Sequence, residues 1–197
     1  MNTKAFFDTV REALFGGKLS QDQVDGLNAI LAECNASGIC DDRFTAYILA
    51  TAYHEVGKNM QPVREGFVKT NSGAIKAVTN LYNRGIISTN YALPKANGKS
   101  YYGRGFVQLT WDYNYRKAGD KLGIDLYNNP DLALHNTIAA KIIVRGMLEG
   151  WFTGKKLSDY FTGNKTDWVN ARRIVNGLDK AEKIAEHAKD FHDALNK

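Results

Sequence analysis

Residues 41–57 read Asp-Asp-Arg-Phe-Thr-Ala-Tyr-Ile-Leu-Ala-Thr-Ala-Tyr-His-Glu-Val-Gly and constrain the fold more than any other stretch of the chain. Asp41 or Asp42 can accept hydrogen bonds from the free N–H groups of a first helical turn. Gly57 can take the left-handed conformation that ends a helix. Between them Phe44, Ile48 and Ala52 recur at i, i+4 and i+8, the spacing of one helical face. The expectation is a helix that ends just past Glu55, with the rest of the chain built to hold it in place.

Glu55 follows Ala52 by three residues, so its carboxyl falls on or beside that apolar face. Desolvation and the negative end of the helix dipole both favour a neutral carboxyl there, which is what a general acid requires near neutral pH. Ten residues on, Glu65 closes the extended or turning segment Gln61-Pro62-Val63-Arg64, which can bring a second carboxylate back toward the first. Two carboxylates in different environments suit glycosidic bond cleavage. Against this, most Glu residues at helix ends are simply solvated. His54 does not extend the pattern to a metal site, because a zinc-protease helix needs a second His four residues later and that position is Lys58.

The rest of the chain reads as further helices. Phe6, Phe7, Val10 and Leu14 mark a first helix over Lys4–Leu14, ended by Gly16-Gly17; Ser20 caps a second, with Val24, Leu27, Ile30 and Leu31 at helical spacing through Cys34. Helix is expected again over Ser72–Tyr82, Asn114–Leu122 and Asp131–Met147. Short helical pieces follow at Lys156–Phe161 and Thr166–Val175, and a final amphipathic helix at Ala181–Leu195. Ile86–Lys99, with Pro94, Gly98 and several Asn and Ser, reads as loop, and Ser100–Leu109 holds the one strand or hairpin signal. The class is mainly α, in one domain or two small lobes over residues 1–197, with no repeat, linker or separate cell-wall-binding module.

Composition narrows the setting. At 197 residues with 44% hydrophobic and 24% charged residues, the chain can bury a real core. It has no uncharged apolar run long enough to span a membrane, and charges stand where a signal peptide would be apolar, so neither feature is expected. Cys34 and Cys40 lack zinc-ligand spacing and read as free thiols, pairing only in an oxidising compartment. The net charge of +5 favours anionic partners. Lys and Arg are dispersed along the chain, and no nucleic-acid-binding motif is present.

A second signal lies at Tyr101–Tyr115, Tyr-Tyr-Gly-Arg-Gly-Phe-Val-Gln-Leu-Thr-Trp-Asp-Tyr-Asn-Tyr. Aromatic faces, amides and closely spaced glycines are the materials of a sugar site, and equally of a buried core with one polar edge. The glycines do not form a nucleotide loop: Gly103-x-Gly105 lacks the third Gly, and Gly17-Lys18 is followed by Leu19.

Tyr102-Gly103-Arg104-Gly105, Gln108-Leu109-Thr110 and Tyr113-Asn114-Tyr115 resemble the central signature of glycoside hydrolase family 19, the chitinase family, and of its phage endolysin relatives. Ala52–Glu55 with Gly57, Leu122-Gly123 with Leu126 and Asn129–Leu132, and Arg173-Ile174-Val175-Asn176-Gly177 resemble further motifs of that family, so the likeness covers most of the chain from Phe44 onward. The resemblance implies a lysozyme-like fold, a larger and a smaller helical lobe around a glycan cleft. In it Glu55 acts as acid and Glu65 as base, and Thr110 stands in the place of a family Ser that holds the attacking water. Gln108, Tyr113, Asn114, Asn176, Tyr101 and Tyr102 would meet sugar, while Arg104 and Arg173 would fix loops and carboxylates.

Three departures stand out: the second carboxylate follows the first at about half the spacing found in plant chitinases, Lys58 replaces a Gly after the His-Glu pair, and the disulfide cysteines of the plant enzymes are absent. The compact form resembles endolysins of phages of Gram-negative hosts. That implies a monomeric muramidase acting on peptidoglycan strands by inversion, waiting in the host cytoplasm until a holin gives it access to the periplasmic wall. No metal, organic cofactor, nucleic acid or stable membrane insertion is implied. The rival readings are a chitinase, a lytic transglycosylase and a catalytically dead glycan-binding module.

Overall fold

The computed structural model describes residues 2–197. Among these residues seven α-helices carry the fold: α1 (Thr3–Leu14), α2 (Gln21–Ala36), α3 (Asp42–Glu55), α4 (Asn71–Asn83), α5 (Asp112–Leu122), α6 (Asn136–Glu149) and α7 (Ala181–Leu195). Two small antiparallel ribbons join them. In one, β1 (Val63–Arg64) pairs with β2 (Arg104–Gly105), Val63 opposite Gly105; in the other, β3 (Phe161–Thr162) pairs with β4 (Lys165–Thr166).

Helix α3 is the axis of the core. Every residue from Thr45 to Tyr53 is buried, so it is enclosed on all sides rather than along one face. It packs chiefly on α7, which also meets α1, while α2 lies on α6. Full burial of Ile48 and Leu49 contributes about 2 kcal/mol each. Asp41 caps its first turn through the Arg43 N–H, and Ser20 and Gln23 form a reciprocal capping box on α2. A second, smaller cluster of Ala74, Val78, Ala92 and Tyr102 is built around α4 and the loop that follows it.

Three expectations are revised by the structure. The predicted helix over Asp131–Met147 is a 3-10 turn, Pro130–Leu134, then an extended residue, His135, and only then α6; Pro130 sits where its missing N–H costs nothing. Lys156–Phe161 narrows to a 3-10 turn at Leu157–Asp159, and Phe161 leaves it for the β3–β4 hairpin. Thr166 likewise pairs as a strand, and the helix expected from it is a 3-10 turn at Asn170–Ile174.

Candidate active site

Glu55 is the last residue of α3, and the chain turns sharply behind it. Gly57 takes φ 63°, the Lys58 N–H donates to the Tyr53 carbonyl at 2.9 Å and the Gly57 N–H to the His54 carbonyl at 3.4 Å. These are the paired bonds of a Schellman ending, which fixes the final turn and so the root of the Glu55 side chain. That side chain is 19% exposed, and its Oε1 accepts from Arg172 Nη1 at 2.7 Å. Arg172 is itself buried, on the 3-10 turn Asn170–Ile174, and its Nε donates to the Asp179 carbonyl. The carboxyl expected on an apolar face therefore has a charged partner on one oxygen.

The link from Glu55 to Glu65 is clamped to α2. A Cβ on Gly26 would lie 1.5 Å from the Met60 carbonyl oxygen, so only glycine admits this approach. Gln23 Nε2 donates to the Lys58 carbonyl and Gln61 Nε2 to the Asp22 carbonyl, and Lys58 and Met60 both take positive φ. Non-glycine residues in that region carry strain that the surrounding contacts must hold.

Glu65 follows β1 directly. Its N–H donates to the Gly103 carbonyl at 2.8 Å, while the Gly103 N–H donates back to Glu65 Oε2, also at 2.8 Å. The other oxygen, Oε1, accepts from the Tyr91 hydroxyl at 2.5 Å. Burial, reinforced by that carboxylate, raises the Tyr91 pKa, so the phenol stays a donor at neutral pH. Gly103 has no room for a side chain, since a Cβ would stand 2.8 Å from Gln108 Oε1 and 3.3 Å from Glu65 Oε2.

Glu55 and Tyr91 line one open cavity of about 510 Å³, together with Gln108, Thr110, Trp111, Asn114, Phe152 and Asn176. Gln108 and Trp111 again have positive φ. Gln108 spends both amide hydrogens on the Val63 and Gly105 carbonyls, Thr110 Oγ1 donates to the Gln108 carbonyl, and Asn114 Nδ2 donates to the Thr110 carbonyl. The Thr110 hydroxyl oxygen and the Asn114 Oδ1 are thereby left as acceptors. Tyr91, Trp111 and Tyr113 form an aromatic row with centroid spacings of 5.0 and 6.1 Å, and Tyr113 is 59% exposed.

The cavity gathers Glu55, Gln108, Thr110, Asn114 and Asn176 from the sequence-predicted set, with Glu65 joined to it through Tyr91. Tyr101 and Tyr102 do not line it. Both rings are fully buried, with the Tyr101 hydroxyl on the Tyr127 carbonyl and the Tyr102 hydroxyl on Asn71. Arg104 is 1% exposed and stacks on the Tyr102 ring; it binds Asp131 at 2.8 Å, the Ser100 carbonyl and the Tyr115 hydroxyl. Arg173 is exposed; the arginine on a carboxylate is its neighbour, Arg172.

Sequence reasoning missed Arg172, Tyr91 and Trp111. For Arg172 the adjacent pair of arginines was a signal without a register. A second cavity, of about 420 Å³, opens beside the Arg104–Asp131 pair and contains neither glutamate. Among the described residues, no group of three His, Cys, Asp or Glu side chains is placed to hold a metal ion. Cys34 is a buried free thiol, pushed up to about 12 by that burial, and Cys40 is exposed and free.

A family model described as chitinase class I matches residues 40–158. Among curated relatives, the inactive chitinase-like protein 1 of Hevea brasiliensis is 44% identical over 77 residues, covering 39% of this chain and 24% of that protein. Endochitinase 1 of Theobroma cacao is 48% identical over 66 residues, 30% of this chain and 21% of that one. The chain thus spans a quarter or less of the length of these relatives. Among solved structures, chitinase C from Streptomyces griseus superposes with a TM-score of 0.62 at 21% identity, over 98% of this chain and 76% of that one. A bacterial family 19 chitinase whose enzymatic properties differ from those of plant enzymes matches with a TM-score of 0.53 at 26% identity, over 97% and 93%. The mainly helical, lysozyme-like architecture is therefore shared.

Proposed function

Because this chain belongs to glycoside hydrolase family 19, the chitinase class I family, we propose that it hydrolyses β-1,4 glycosidic bonds with Glu55 as general acid and Glu65 as general base. The observation that carries this reading is the shared cavity, with Glu55 on its wall and Glu65 held by Tyr91, which lines the same space. Arg172 occupies Glu55 Oε1, and Oε2 has no partner among the described residues, which leaves it to meet the glycosidic oxygen.

In this scheme Glu55 gives a proton to the leaving oxygen. Glu65 takes a proton from a water that attacks the anomeric carbon from the opposite face, so configuration inverts. Thr110, whose own hydrogen is committed to the Gln108 carbonyl, accepts a hydrogen bond from that water and holds it. An inverting pair of this kind needs carboxyl groups about 6.5–9.5 Å apart. The aromatic row Tyr91–Trp111–Tyr113 offers faces for the C–H surfaces of bound sugars.

The substrate in this proposal is peptidoglycan, cut after N-acetylmuramic acid, and the protein acts as a phage endolysin that reaches the periplasmic wall once a holin opens the membrane. The net charge of +5 suits a wall polymer whose peptide stems carry carboxylates, which chitin lacks. No helix among the described residues is long and apolar enough to cross a membrane. The second reading is a chitinase, favoured by the family itself and by relatives named endochitinases.

Paired digests of purified sacculi and of N-acetylglucosamine oligomers separate the two. Faster release from sacculi supports the endolysin, and cleavage of the oligomers alone supports the chitinase. Binding without cleavage of either would place the chain beside its inactive relative, as a glycan-binding protein.

A further inference from the structure

Between Gly66 and Trp111 the chain carries six Lys and Arg residues and no Asp or Glu. Six positive charges exceed the net +5 of the whole chain, so the remainder is slightly acidic. The cations that look dispersed along the sequence are therefore segregated once acidic residues are counted against them. Only Arg104 is neutralised, by Asp131. Lys69, Lys76, Arg84, Lys95 and Lys99 are all exposed, and none forms an ion pair among the described residues.

The five exposed cations lie within residues 67–99 of that stretch, which carry α4 and, with Tyr102, form the smaller cluster, whereas Tyr101, Phe106, Val107 and Leu109 pack in the main core. Ala74 and Val78 turn inward, which sends Lys76 to the outer face of the helix, with Lys69 before its first turn and Arg84 at its end. Four of the seven large hydrophobic side chains exposed on the described residues also lie here: Phe67, Tyr82, Ile86 and Leu93. Ile86 and Leu93 are aliphatic and have no role in sugar stacking. Unpaired cations interleaved with exposed apolar side chains are the composition that binds at the headgroup level of an anionic bilayer. An acidic glycan would account for the charges and leave the aliphatic side chains unexplained.

We propose that the α4 lobe is a peripheral docking face for an anionic lipid surface. The five cations draw the lobe to the headgroups, and Ile86 and Leu93 enter shallowly among them, with no helix inserted. The catalytic cavity, which this lobe reaches only through Tyr91, stays open to glycan. The inference does not rest on which glycan is cut.

Sedimentation of the full chain with vesicles tests it. Binding is expected to phosphatidylcholine vesicles containing phosphatidylglycerol and not to phosphatidylcholine alone, and it should fall steeply with added salt. Each cation near such a surface changes partitioning about fivefold, so the triple variant Lys69→Gln, Lys76→Gln, Lys95→Gln should bind about a hundredfold less. The pair Ile86→Ser and Leu93→Ser should weaken binding at an ionic strength where charge is screened. All five positions are exposed, and unchanged thermal melting shows that the variants remain folded. No binding to the anionic vesicles, or equal binding by the triple variant, overturns the proposal. If the triple variant loses affinity for purified sacculi while vesicles are never bound, the face belongs to an acidic glycan and the lipid assignment is wrong.

Discussion

The Tyr91 hydroxyl donates to Glu65 Oε1 at 2.5 Å, while the Gly103 N–H donates to Oε2 of the same carboxylate at 2.8 Å. Glu65 is thus held from both sides, by a backbone group from the β2 region and by a side chain from the loop after α4. Tyr91 lines the cavity and, in the proposed mechanism, acts through Glu65 as a positioning residue. Tyr91→Phe keeps the ring against Trp111 and removes only the hydroxyl. A misaligned base costs about tenfold to a hundredfold in kcat, with KM little changed. Steady-state kinetics on soluble glycan fragments gives the split, and an unchanged kcat would mean that Glu65 is not oriented through Tyr91.

Gly26 controls the carboxylates from a distance. A Cβ there would lie 1.5 Å from a backbone oxygen of Met60, which cannot yield as a flexible side chain would. Gly26→Ala must therefore push the turn between Glu55 and Glu65 away from α2. The expected destabilisation is about 3 kcal/mol, with a loss of activity in the fraction that still folds. Denaturant unfolding at constant m-value checks the first part, and a variant as stable as the parent would contradict the clamp.

Asp131 binds two guanidiniums, Arg104 at 2.8 Å and Arg64 at 2.6 Å. Burial pushes its carboxyl up, but Arg104 and Arg64 outweigh this and hold it below the usual 3.8. Removing the charge leaves Arg104 buried without its counterion, so Asp131→Asn should cost about 2–3 kcal/mol, moderated because Asp131 is itself half-exposed. With a depressed folded pKa, the contribution is present above pH 3.8 and is lost as pH falls through the lower native value. Thermal melts of the parent and the variant should converge at strongly acidic pH, and parallel curves would count against the pair.

His54 on α3 and His187 on α7 are both lowered below 6.5, first by burial and then by neighbouring cations, against the pull of Glu55 and Asp190 respectively. The unfolded chain takes up these protons more readily than the native one. Stability from this source is therefore present above pH 6.5 and lost as pH falls through the lower native values. The melting temperature should drop between neutral pH and pH 5, before the carboxylates titrate, and less so in His187→Gln. A flat profile over that interval would contradict the assignment.

Much of the helical frame was legible in the residues. Ala181–Leu195 has the bounds its periodicity predicts, and Ser20, Asp41 and Gly57 cap where their chemistry says they should. The centre of the cavity was legible only through the family resemblance, whose signature contains Gln108, Thr110 and Asn114, because aromatics, amides and glycines by themselves suit a buried core equally well. Tyr91 was not, since a loop residue gives no period to read and its partner lies 26 positions away. Arg172 and Arg173 differ by one register step on a 3-10 turn, and only the tertiary contact with α3 decides which of them faces Glu55. Tyr101 and Tyr102 look like sugar platforms in sequence because aromatic residues serve cores and clefts alike; the fold stacks Tyr102 on Arg104 and packs Tyr101 against Tyr115 and Tyr127.

The most direct test of the central claim is mass spectrometry of the soluble fragments released from purified Gram-negative sacculi by the parent and by Glu55→Gln. The parent should release fragments ending in reducing N-acetylmuramic acid and the variant none, because Gln keeps the shape of the side chain and removes its proton chemistry. Undiminished release by Glu55→Gln would contradict Glu55 as the acid, and anhydro ends from the parent would replace hydrolysis with transglycosylation.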